Sequence, residues 1–166
     1  MSKYAMSTLS AFKALLLSLL LIASPAALAD PAGANQQLQM AQLNFMQVKV
    51  QFQLAEAHLN AGQVAHARQA FISAQVSAQM LNMAVMQLKM ENTETLNNGQ
   101  YVHQAPQERA VAYSELASME ALQLSVQLSV LAQQPTSYGN RIQAQLAIQQ
   151  LTQSLQQCAL EMAAAQ

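Results

Sequence analysis

Apolar residues three and four apart, sustained over long stretches, constrain this chain more than any other feature. Leu38, Ala41, Phe45, Val48, Phe52, Ala55 and Leu59 step 3, 4, 3, 4, 3, 4. Ala144, Ile148, Leu151, Leu155, Cys158, Met162 and Ala165 step 4, 3, 4, 3, 4, 3. A helix turns once in about 3.6 residues, so each series forms one seam along one face, as in helices packed on antiparallel neighbours. A third series, Ala117, Ala121, Leu124, Leu128 and Leu131, steps 4, 3, 4, 3. Over part of it Leu122, Leu124, Val126, Leu128 and Val130 also alternate with Gln and Ser, which is a strand signal. The helical flanks favour a helix there.

Glycine, proline and asparagine divide the chain into four helical segments. The first runs from a cap at about Asn35 to Asn60, closed by Gly62, whose freedom to take positive φ suits a tight helix end. The second runs from about Gln63 to Met90. Residues 92–105 read as a polar connection holding the turn signal Asn97-Asn98-Gly99, around which Thr95-Leu96 and Gln100-Tyr101-Val102 could pair as a short hairpin. Pro106 suits the first turn of a third helix, with Glu108 favouring its dipole, and that helix ends before Pro135. Tyr138-Gly139 makes a break, and Asn140 with Gln143 reads as a capping box opening the fourth. The expectation is an all-α antiparallel bundle of about four helices with a core of Leu, Met, Val and Ala.

Residues 1–29 carry a different message. Lys3 and Lys13 precede a short apolar run from Ala14 to Ile22, Ser24-Pro25 breaks it, and Ala27-Leu28-Ala29 supplies small residues before Asp30. This is the order of a cleaved secretory signal, and the run is too short for a spanning helix of about 20 apolar residues. The expected mature chain, residues 30–166, is a single helical domain in the periplasm or outside the cell, with no stable membrane insertion.

That mature segment has five basic residues, Lys49, Arg68, Lys89, Arg109 and Arg141, against eight acidic ones, scattered without runs. Nucleic-acid binding needs clustered cations to neutralise several phosphates, so it is excluded as an expectation. Gln supplies 27 of the 137 residues, which allows either ordered helices or a self-associating structural chain. Regular apolar spacing favours order. Cys158 is the lone cysteine and sits in the fourth seam, so a buried small hydrophobe is favoured over a bridge between two copies.

In segment 51–84, Leu54-Ala55, Ala57, Gly62, Ala67, Phe71 and Ala74 occur at spacings that match one helix-turn-helix unit with small residues at its crossing. The segment resembles a single tetratricopeptide repeat. It departs from the repeat at Gln51, His58 and Gln79, and no second unit follows. The resemblance implies a protein- or peptide-binding scaffold.

Candidate chemistry is sparse. Met80, Met83, Met86 and Met90 fall on one stripe about 120° wide, continued by Ile72 and Val76. Thioethers select Cu(I), but Met is also a common core filler and a component of adaptable grooves; the continuing stripe favours core packing. His58, His66 and His103 are not spaced with the methionines. His58 and His66 could meet across the Gly62 turn, although two imidazoles without a carboxylate are a weak site. Glu115 and Glu120 diverge by about 140° on a helix and form no local acid–base pair. No HExxH, phosphate loop, nucleophile elbow or multi-cysteine metal spacing occurs.

The reading is therefore a non-catalytic, exported scaffold or adaptor of the bacterial envelope that binds a protein partner. No cofactor, metal site or catalytic residue is assigned. The alternatives are a periplasmic copper-handling protein using the Met stripe, and a self-associating Gln-rich structural protein. The intact mass of protein recovered from the envelope should correspond to a chain beginning at Asp30; a mass that retains residues 1–29 would contradict cleavage.

Overall fold

The computed structural model describes residues 32–166. The expected signal, residues 1–29, lies outside them. Four long helices follow one another: α1 (Ala32–Asn60), α2 (Val64–Asn97), α3 (Gln104–Gln133) and α4 (Tyr138–Ala165). This is an all-α bundle, and there is no strand among the described residues.

Local chemistry explains each connection. Gly62 takes φ 72°, so that its N–H reaches the Leu59 carbonyl and the Gln63 N–H reaches that of His58, at 3.0 and 2.8 Å. These are the paired bonds of a Schellman helix end, which needs a residue in the left-handed region. Gly99, at φ 67°, repeats the device at the end of α2: its N–H bonds the Leu96 carbonyl and the Gln100 N–H that of Thr95. The Asn97-Asn98-Gly99 turn thus ends a helix instead of joining two strands. Thr95 and Leu96 are helical, and α2 runs seven residues past the expected end at Met90, to Asn97.

Other expected ends also shift. Asn35 lies inside α1 rather than capping it. The fourth helix is capped by Ser137, not Asn140: the Asn140 amide, three residues in, donates to the Ser137 hydroxyl at 2.9 Å. Pro106 does sit in the first turn of α3, whereas Glu108 lies one turn further along and accepts from Gln104 at 2.8 Å. The ambiguous stretch 122–130 is helical throughout. Its alternation resolves into two faces: Leu124 and Leu128 are buried, while Leu122 and Val126 are exposed.

Consecutive helices pack antiparallel along their length, and α1 meets α4 only sparingly. The register is visible in the cross-links. Arg68 at the start of α2 reaches the Gln133 carbonyl at the end of α3, while Lys89 near the end of α2 pairs with Glu115 at 2.8 Å. Arg109 pairs with Glu161 between α3 and α4, and Arg141 with Glu56 between α4 and α1, both at 2.9 Å. The Ala165 carbonyl, at the last turn of α4, accepts the backbone N–H groups of Val102 and His103, pinning that end to the α2–α3 connection.

One core joins all four helices, and 14 of its 29 buried hydrophobic residues are alanine. Small residues on facing helices let the backbones approach closely, so close packing rather than bulky side chains fills the centre. Phe52 and Phe71 meet edge-to-face, with ring centres 5.8 Å apart, and lock α1 to α2. Ala55 and Ala67, one turn nearer the Gly62 connection, are fully buried. The core methionine expected from the composition is confined to Met162 among the buried residues.

Overpacking such a crossing costs about 1–3 kcal/mol. Ala55→Leu and Ala67→Leu should each lower the melting temperature by several degrees, since 1 kcal/mol is worth roughly 4 °C at this length. Ala112→Leu, at an exposed position on α3, should change it little. Near-wild-type melting of both hairpin variants would show that the helices do not cross through these alanines.

Candidate functional site

Each helix carries a second apolar stripe on the side away from the core. On α1 it comprises Met40, Leu43, Val50 and Leu54; on α3, Leu116, Met119, Leu122 and Val126; on α4, Tyr138, Ile142, Leu146 and Leu160. All of these side chains are exposed. On α2 the stripe is longest: Val64, Ile72, Val76, Met80, Met83, Met86 and Met90. At about 100° per residue its centre lies close to opposite the line of Ala74, Leu81, Val85 and Leu88 that faces the core.

This corrects the expectation for Met80, Met83, Met86 and Met90. They do not pack the core: Met83 is 59% and Met90 68% exposed, against 3% for Met162. The seam of α2 was already filled by alanine and leucine, and a helix has only one face toward its neighbours. Four thioethers at consecutive turns therefore stand in solvent.

The remaining candidates separate. Glu115 faces outward to Lys89. Glu120 is half-buried near Ser154, and its Oε2 atom is buried with no hydrogen-bond partner. The two carboxylates form no acid–base pair. His103 is exposed at the far end of the bundle from the Gly62 turn, and its backbone is tied to Ala165. His58 and His66 do come together across Gly62, their rings stacked at 28° with centres 5.3 Å apart. The His58 Nδ1 atom lies 2.7 Å from Gln63 Oε1.

Cys158 is fully buried. Its Sγ atom accepts from Asn92 Nδ2 at 3.7 Å and points its own hydrogen at the Ala110 carbonyl at 3.6 Å. Burial pushes the thiol up to about 12, with the Asn92 contact opposing it. A thiol held protonated is neither a nucleophile nor a good metal ligand. Asn92 belongs to the stretch that the sequence marks as a polar connection. In the fold its side chain is fully buried and its backbone carbonyl accepts from Gln107 Nε2 at 3.0 Å, so that one polar cluster ties α2, α3 and α4 in register.

Between α1 and α4 lies a groove of about 490 Å³, floored by Phe52 and Ile148 and edged by Lys49, Glu56, Gln53 and Gln149. The Arg141–Glu56 ion pair closes one end of the same seam. All five basic side chains of the described residues are engaged within the chain. Lys49 sits over the Phe45 ring at 4.8 Å, and the other four make the contacts given above. No basic patch results. No described helix is long and apolar enough to cross a membrane. No three His, Cys, Asp or Glu side chains cluster as a metal site among the described residues. In comparisons with known proteins, no family model, curated protein or solved structure matches the chain.

Two measurements follow. Native protein should react with a thiol reagent only at the rate of unfolding, and Cys158→Ser should cost on the order of 1–3 kcal/mol through imperfect satisfaction of a buried hydroxyl. Rapid native labelling would contradict the buried, protonated thiol. The Glu120 carboxyl is raised above its ordinary value, chiefly by burial, with the Ser154 hydrogen bond opposing. A raised folded-state value gives a stabilising contribution that is complete below the unfolded value and lost as pH rises through the folded one. Glu120→Gln should therefore raise the melting temperature at pH 7, with the gap closing below the ordinary value of 4.5. A lower melting temperature at pH 7 would contradict this.

Proposed function

We propose that this protein is a non-catalytic, exported helical scaffold that binds an apolar or amphipathic helical segment of a partner protein on the outer face of α2. The carrying observation is the row Ile72, Val76, Met80, Met83, Met86 and Met90, which is exposed along five turns of a rigid helix. A helix that is apolar on both faces normally buries both. Here the inner face is already covered, so the outer one has apolar surface still to bury.

The chemistry of the row supports the choice of partner. Methionine is unbranched and polarizable, and a surface rich in it adapts to differently shaped apolar ligands. Ile72, Val76, Met80 and Met83 recur at steps of 4, 4 and 3, the kind of spacing by which one helix face receives another. The signal-like residues 1–29 support a site of action in the envelope or beyond it.

A second reading has an observation of its own. Outward thioethers are available to soft Cu(I), as buried ones would not be. Substituting all four methionines by leucine separates the two, because leucine keeps the apolar surface and removes every thioether.

A photo-crosslinking residue at Met83 should yield one discrete adduct in the envelope, absent when it is placed at the loop residue Gln134. Changing Met80 and Met86 to Gln should abolish the adduct, and changing them to Leu should preserve it. Equal labelling from Gln134, or no adduct, would overturn the proposal. An adduct of two copies of this chain would replace it with self-association. Stoichiometric Cu(I) uptake lost in the four-leucine variant would replace it with copper handling.

A further inference from the structure

We infer that His58 and His66 form a surface site for a divalent transition metal of borderline softness, such as Zn²⁺, at the α1–α2 turn. The site is independent of the partner-binding reading and shares no residue with the Met row. Sequence spacing alone shows only two imidazoles eight residues apart; the fold adds three facts.

The first is separation. A metal–nitrogen bond of about 2.0–2.1 Å, with the nitrogen ~1.1 Å further from its ring centre, puts two imidazoles on a tetrahedral ion about 5 Å apart, centre to centre. The ring centres of His58 and His66 are 5.3 Å apart before any ion is present. The two ring centres therefore already lie at the separation such an ion requires, with no change in the backbone.

The second is a support for the His58 ring. Its Nδ1 atom lies 2.7 Å from the Gln63 side-chain amide and is engaged there. Nε2, on the other side of the ring, is left for a ligand. A metal-bound histidine normally donates its other N–H to an oxygen that fixes the ring in this way. Gln63 supplies that outer support without itself ligating.

The third is a rigid frame. His58 ends α1 and His66 opens α2, and the turn between them is fixed by the Gly62 and Gln63 backbone bonds to Leu59 and His58. Below it the Phe52–Phe71 contact and the buried Ala55 and Ala67 hold the two helices together. His66 is exposed and His58 half-buried, so an ion has open access and water fills the remaining coordination positions. With two protein ligands the site is exchangeable rather than structural.

Titration of the purified, metal-free protein with Zn²⁺, read by calorimetry and by the histidine ring signals in NMR, tests this. One equivalent should bind, moving the ring signals of His58 and His66 but not that of His103, and raising the melting temperature by several degrees at saturation. His58→Ala and His66→Ala should each weaken binding at least tenfold, and Gln63→Ala should weaken it by about tenfold through loss of ring orientation. His103→Ala should leave it unchanged. Because Zn²⁺ has little affinity for thioethers, replacing the four α2 methionines by leucine should also leave it unchanged. Failure to bind Zn²⁺, or binding that survives in the His58→Ala/His66→Ala double variant, would overturn the assignment.

Discussion

Close approach of helices through alanine is the constraint on which the rest of this structure depends. Ala41, Ala55, Ala67, Ala74, Ala78, Ala110, Ala117, Ala121 and Ala144 are fully buried along the inner faces. A side chain with no rotamers to fix costs nothing in side-chain entropy and lets the backbones come close enough for dense packing. The larger anchors, Phe71, Leu81, Leu88, Leu124, Leu128, Leu131 and Leu151, fill the spaces that remain. Specificity is added by polar groups: the Asn92–Gln107–Cys158 cluster permits one axial register of α2, α3 and α4, since any slip would strand a buried amide.

An inner face made of small residues has a consequence for the outer one. Most of the methionine, and several leucines and valines, are not needed at the centre and lie on the opposite side of each helix. Glutamine rather than charge separates these outer stripes, and three ion pairs join one helix to another among the described residues. The outer surface is therefore apolar and weakly charged. The Gly62 turn is a separate region, polar and exposed, where two imidazoles and one amide are brought together by the helix end.

Much of the architecture could be read from spacing. The 3–4 steps of the first, third and fourth segments run along the faces that are buried, including Cys158, and Gly62 and Gly99 mark two helix ends through their positive φ. What periodicity could not supply was the choice between two apolar stripes on one helix. In α2 the alanine series and the methionine series have the same period, and only the partners across the bundle decide which is inside. The same ambiguity gives the helical residues 122–130 their strand-like alternation, because two opposed stripes sampled together alternate. The polar run after Met90 read as a loop because Asn92 and Thr95 are unusual in a helix interior. Their burial against α3 and α4 is a tertiary effect that overrides propensity.

The inner stripe makes the fold, and the outer stripe of α2 is left free by it. Methionine oxidation by peroxide reads this directly, since a thioether reacts in proportion to its exposure. In dilute, monomeric, native protein, peptide mass spectrometry should show Met80, Met83, Met86 and Met90 oxidised at the rate of the unfolded chain, with Met162 protected and the helical content unchanged. Protection of the four α2 methionines to the degree of Met162, or loss of helix as they oxidise, would show instead that this stripe belongs to the core.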